Sequence, residues 1–190
     1  MTLTPGLASR LSARLLKRFE SPEGIFRVSL SQLESCNLPA ELAQAIVKKE
    51  SFKRAEKELQ AIRNIPNCSL LNWTEPEYPQ SLLQIYDPPV FLYVRGNTQI
   101  LNHPCISIVG TRKPTLYGTQ MAQRIGRDLA ARGIVIVSGM ARGIDAIGHE
   151  GALAGGGLAI GVLGTGIDIC YPKENKKTLR KSSGTRRHPQ

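Results

Sequence analysis

An α/β chain is predicted, with a small helical N-terminal domain ahead of a parallel sheet that is incomplete at its C-terminal side. Three observations carry that prediction. Short Ile- and Val-rich runs recur in ISIVGTR (106–112), IVIVSGMARG (134–143) and AIGVLGTG (159–166), and each ends in a glycine-rich turn. Apolar on successive residues, they have the pattern of strands buried on both faces of a parallel sheet. Their first residues, Ile106, Ile134 and Ala159, are 28 and then 25 residues apart, close to the roughly 30 of a right-handed βαβ unit. Ahead of them, residues 7–62 carry apolar side chains at helical spacing.

In chain order, Leu7, Leu11, Leu15 and Phe19 recur every four residues, with Arg10, Arg14, Lys17 and Arg18 on other faces, which predicts an amphipathic helix. Ser31, three residues before Glu34, forms a capping-box pair. Pro39 suits a first helical turn, opening a long segment whose apolar side holds Leu42, Ile46 and Val47. From Ile65 to His103, Pro66, Pro76, Pro79, Pro88 and Pro89 exclude a continuous helix, because proline lacks the N–H and clashes with the preceding turn. Leu70–Trp73 and Val90–Val94 read there as short strands. Strand Ile106–Val109 then leads to a helix with Met121, Ala122, Ile125 and Leu129 on its inner face, stopped by Gly133. Strand Ile134–Val137 leads to a small-residue helix around Asp145–Ala154, and strand Ala159–Leu163 follows. Two crossover helices on one face leave the other without the cover that further βα units would give. The domain boundaries fall at 1–64 (helical), 65–176 (sheet core) and 177–190 (a basic tail, expected to be disordered).

Composition narrows the function classes. The 190 residues are 41% hydrophobic and 21% charged, with a net charge of +10. No apolar stretch approaches the roughly 18 residues of a membrane helix, and the N-terminus lacks the apolar core and cleavage site of a secretory signal. No membrane partner is expected. Cys36, Cys68, Cys105 and Cys170 are far apart, with no CxxC pair and no clustered histidine. Neither a metal nor a disulfide framework is expected, and a reduced cytoplasmic setting fits. The charge is uneven: residues 173–190 alone carry 7 Lys/Arg against 1 Asp/Glu. A charged tail is ordinarily solvated, so bulk basicity does not identify a partner.

The turns do more. Ligands of open α/β sheets sit at the carboxyl ends of the strands, where these turns fall. Gly110-Thr111-Arg112-Lys113-Pro114 combines a flexible backbone, a hydroxyl and two cations ahead of a helix, a combination that favours phosphate. Ser138-Gly139-Met140-Ala141-Arg142-Gly143 supplies another arginine, and Gly164-Thr165-Gly166 allows close backbone approach. Asp145 is expected to cap the following helix, His149 to be a helical rather than a catalytic histidine, and Asp168 to order the loop leading to Tyr171-Pro172. There is no GxGxxG fingerprint, Walker lysine, Ser/His/Asp order or paired carboxylate set. The pattern is one of binding without catalytic residues or a cofactor.

At these residues the sequence resembles the bacterial DNA-processing protein A family (DprA, also called Smf). The resemblance lies in YPQSLLQIYDPPVFLYVRGN (78–97), GTRKPTLYG (110–118), SGMARGIDAIGHEGAL (138–153) and LGTGIDICYPKEN (163–175), four stretches in family order. The helical N-terminus is similar to that family's sterile-alpha-motif-like or helix-hairpin-helix-like module. The resemblance implies a Rossmann-like core in a non-enzymatic single-stranded DNA-binding protein that assists RecA loading in DNA uptake, natural transformation and recombination. It also implies that Arg112 and Arg142 contribute to the DNA pocket, with Gly110, Thr111, Lys113, Ser138, Gly139, Gly143, Gly164 and Gly166 around them. The segment TLRKSSGTRRHPQ (178–190) does not resemble the family. This departure implies a C-terminally truncated or out-of-frame terminus, with the homodimer interface and part of the RecA-contact surface in the missing portion. The alternatives are a Rossmann-like nucleotide- or phosphate-ligand-binding protein or hydrolase, and a non-functional gene fragment.

Overall fold

The structure, a computed structural model, describes residues 3–7 and 9–169; Tyr171-Pro172 and the basic tail lie outside these residues. The chain divides into two compact units. The first runs to Pro66 and includes residues 70–75 and 80–92; the second holds residues 67–69, 76–79 and the described residues from Tyr93 to Ile169.

The first unit is helical, but its helices are shorter than the apolar periodicity implies. They are α1 (Ser9–Phe19), α2 (Pro22–Ile25), α3 (Leu30–Glu34), α4 (Ala40–Val47) and α5 (Phe52–Arg63). Leu7, Leu15, Ile25, Leu33, Leu42 and Ile46 are buried together, and Leu11 and Phe19 pack against them. The predicted stripe on α1 is therefore the inner face. The capping box exists, two residues earlier than expected. Ser29 Oγ accepts the Gln32 N–H at 3.3 Å, and Gln32 Oε1 accepts the Ser29 N–H at 2.9 Å. Ser31 is already inside α3 and cannot cap it. Pro39 is the N-cap of α4 rather than its first residue. That helix ends at Val47, which is exposed, and Lys49 turns the chain with φ of 55°. The long segment read from Pro39 onward is therefore two helices.

Strands β1 (Cys68–Asn72) and β2 (Phe91–Arg95) pair as a two-stranded sheet. The second unit then builds a three-stranded parallel sheet from β3 (Cys105–Ser107), β4 (Val135–Ser138) and β5 (Ala159–Gly161), in that spatial order. Ile106 is in register with Ile136, and Ile136 with Ala159. Two helices, α6 (Leu116–Ala130) and α7 (Ile144–Ala154), make the crossovers. They approach so closely that a Cβ on Gly126 would lie 2.4 Å from the Gly148 carbonyl oxygen, and one on Gly151 2.3 Å from that of Gln123. Below them Ala130, Ile136, Ala152 and Ala159 form the core, with Ile108 and Leu129 against it.

Two expectations are corrected here. Only β4 is buried along most of its length, whereas Cys105, Ile106 and Ser107 of β3 are all exposed. An outer strand of a three-stranded sheet has a neighbour on one side only. On α6 the buried residues are Ala122, Gly126 and Ala130, and Ile125 is exposed. Contact at this distance admits only small side chains, so the bulky ones are displaced from it. Among the described residues, no helix is long and apolar enough to cross a membrane.

Candidate functional site

Local backbone chemistry assembles the first two glycine-rich turns into one rim at the carboxyl ends of β3 and β4. In the first turn, a Cβ on Gly110 would meet the Ile144 side chain at 2.8 Å, so glycine is what lets β3 pass beneath α7. Thr111 Oγ1 accepts the Lys113 N–H at 3.2 Å, and Thr115 Oγ1 accepts the Gly118 N–H at 3.1 Å, capping α6. Thr111, Arg112 and Lys113 are exposed.

The second turn is anchored from below. Ser138 is buried, and its hydroxyl donates to the Ile108 carbonyl at 2.5 Å, tying β4 to the end of β3. It is therefore a strut of the rim and does not present its hydroxyl to solvent. Gly139 N–H donates to Asp145 Oδ2 at 3.1 Å. Asp145 thus holds the loop ahead of α7 from inside the first helical turn, while the N-cap position belongs to Gly143. A carboxylate there is also favoured by the positive end of the helix. Met140 is buried in the left-handed region with φ of 57°, and Arg142 is exposed.

Gly143 joins the two turns. Its φ is +83°, and a Cβ there would sit 2.3 Å from the Thr111 carbonyl oxygen and 2.8 Å from Arg112 Cα. Next to it, Ile144 N–H donates to the Thr111 carbonyl at 3.2 Å. The structure therefore brings Gly110, Thr111, Arg112 and Gly143 together, with Lys113 and Arg142 adjoining in sequence.

The third turn is attached at its root. Val162 N–H donates to the Ser138 carbonyl at 2.8 Å, and Gly161 packs on Met140. Gly164 and Gly166 are exposed, and a Cβ on Gly164 would meet nothing within 4 Å. Thr165 and Ile169 close this turn by hydrogen bonds, with an Asp168 carboxylate oxygen beside Gly166. Beneath the rim His149 is fully buried, with Nε2 3.2 Å from the Ile160 carbonyl and no partner at Nδ1. Burial pushes the imidazole below its ordinary pKa, while the Ile160 carbonyl and the Asp145 charge pull the other way.

Sequence reasoning missed four contributors. Gly161 and Met140 pack as a pair, but neither carries a recognisable signal alone. Leu116 and Tyr117, at the start of α6, are more than 70% exposed beside the first turn; the apolar periodicity that reveals inward residues says nothing of these. Chemically, the rim offers exposed guanidinium and ammonium groups on a rigid backbone. Among the described residues, no group of three or more His, Cys, Asp or Glu side chains is placed to hold a metal ion.

Comparisons with known proteins agree on one family. Residues 69–186 match the family described as DNA recombination-mediator protein A. DNA processing protein DprA of Streptococcus pneumoniae is 40% identical over 115 residues, covering 60% of this chain and 39% of that protein. DprA of Bacillus subtilis is 37% identical over 149 residues, covering 78% and 48%. The X-ray structure of the Streptococcus pneumoniae protein superposes with a TM-score of 0.71 at 28% identity, over 93% of this chain and 60% of that one. DNA processing protein A from Helicobacter pylori, whose structure concerns its single-stranded DNA binding mode, gives 0.54 at 36% identity over 61% and 51%. The chain spans half or less of the length of these curated relatives.

Proposed function

Because this chain belongs to the DNA recombination-mediator protein A family, that of DprA and Smf, we propose that it binds single-stranded DNA along the rim formed by its first two glycine-rich turns. The observation that carries this is the backbone join at Gly143, which holds the loop bearing Arg112 and Lys113 against the loop bearing Arg142. Exposed cations on a fixed backbone suit a polyphosphate: each contact releases condensed counterions, and a pre-ordered loop loses little freedom on binding. Arg112 and Arg142 are the principal contacts, Lys113 adds charge, and Gly110, Gly139, Gly143, Gly164 and Gly166 let the strand approach the backbone. Binding is sequence-tolerant, because phosphates carry no base information. The protein acts without a chemical step of its own, and the strand it holds is passed to RecA recombinase during uptake and recombination. The name of the matched family supports this second step, and a homodimer belongs to the same proposal.

The test is fluorescence anisotropy with labelled oligo-dT across a salt series. Arg112→Ala and Arg142→Ala should each weaken binding and lower the salt slope by about 0.7. Unchanged affinity and slope in both would sink the assignment. Saturation by a mononucleotide, with no gain from a longer strand, would favour a small phosphate ligand instead.

A further inference from the structure

Helix α1 of the first unit has no part in that reading, yet its cations, unlike those of α5, have no acidic residue among them. Its sequence, SRLSARLLKRF, contains four cations and no acidic residue. Arg10, Arg14, Lys17 and Arg18 recur at three- and four-residue steps, so they share one stripe along about 12 Å of helix axis. Among the described residues none of the four pairs with a carboxylate.

Neutral groups hold the guanidiniums instead. Arg14 Nη2 donates to the Cys36 carbonyl at 2.8 Å, and Arg18 Nη2 to Ser35 Oγ at 3.2 Å. Together with Leu15, Ser35, Cys36 and Asn37 they line a cavity of about 230 Å³ that has no acidic wall. At the other end of the stripe, Arg10 Nη1 donates to the Tyr86 hydroxyl, and its Cζ lies 4.8 Å from the Tyr86 ring centroid. Tyr86 is 80% exposed. Each of these contacts fixes a guanidinium without cancelling its charge, so an incoming anion would have less side-chain freedom to remove.

Two kinds of polyanion meet basic amphipathic helices. A lipid surface requires the apolar face of the helix to be free, but here Leu15 is buried in the helical core with Leu7 and Ile25. A single strand requires only cations for its phosphates and an aromatic face for an unstacked base. We infer that the Arg10–Arg14–Arg18 face of α1, ending at Tyr86, is a second contact site for single-stranded nucleic acid. It goes beyond the rim and does not depend on it.

The test uses the full chain and a long labelled oligo-dT. Arg14→Gln with Arg18→Gln keeps an N–H donor for Cys36 and Ser35 while removing both charges. The salt slope should fall by about 1.4, in the wild-type background and equally with Arg112→Ala and Arg142→Ala present. Tyr86→Ala should weaken binding with the slope unchanged, and an iodouracil-bearing strand should crosslink to Tyr86 in the unmodified protein. Unchanged affinity and slope in a Gln variant that melts like the wild type would overturn the inference and leave the rim standing. Loss confined to phosphatidylserine vesicles would also overturn it. Loss in the α1 variants with no effect of the rim variants would uphold it and remove the rim.

Discussion

His149 shows how a single residue couples the rim to solution conditions. It is fully buried, its Nε2–H donates to the Ile160 carbonyl, and Nδ1 has no acceptor to which a second proton could be given. Desolvation therefore lowers its pKa below the ordinary 6.5. The unfolded chain, with an unperturbed imidazole, binds more protons than the folded one below about pH 6.5. Stability from this group is therefore complete above that pH and declines as the pH falls toward the lowered folded value. Thermal unfolding across about pH 5–7.5 should show this decline in the wild type. His149→Gln, which removes the titrating group, should give a flatter profile from a lower starting stability. An equal slope in both would remove His149 from the account.

At the scale of elements, the contact between α6 and α7 limits what the sheet can carry. Gly126→Ala would gain up to about 1 kcal/mol of helix propensity. Its Cβ would nevertheless lie 2.4 Å from the Gly148 carbonyl oxygen, a backbone atom that cannot step aside. Separating the helices costs about 1–3 kcal/mol, so the net effect is destabilising. Gly118→Ala, on the same helix with its nearest neighbour at 3.4 Å, should be neutral or mildly stabilising. Denaturant melts of the two variants decide between propensity and packing. The same contact explains what the sequence could and could not disclose. Periodicity located α6, α7 and β4, because buried strands and long helices leave strong patterns. It placed Ala122 and Leu129 correctly on the inner face of α6 but added Ile125, which is exposed, and passed over Gly126 and Ala130, too small to mark a stripe. It overstated the burial of β3, since a run of isoleucines does not reveal which strand lies outermost. The rim cations were legible as types beside glycine, whereas the Gly143 join and the Ser138 anchor depend on pairings between distant turns.

For the whole molecule the question is which of its charges matter. Net charge is +10, yet residues 173–190 carry 7 cations against 1 anion. Such a segment attracts any polyanion at low salt. A variant ending at Asn175 should elute earlier from a heparin column while keeping the relative losses caused by Arg112→Ala and Arg142→Ala on oligo-dT. If those losses vanish with the tail, the binding belongs to the tail and not to the rim. The join between the first two turns also bears on how such a protein can change over generations. It is made main chain to main chain, from the Ile144 N–H to the Thr111 carbonyl across Gly143. The exposed side chains of Arg112 and Lys113 take no part in this join and can be exchanged without breaking it. Intolerance to mutation is concentrated instead in Gly110 and Gly143, residues that touch no ligand through a side chain. The charges of the rim are free to drift, while the glycines that join it and the Ser138 and Asp145 side chains that anchor it are not.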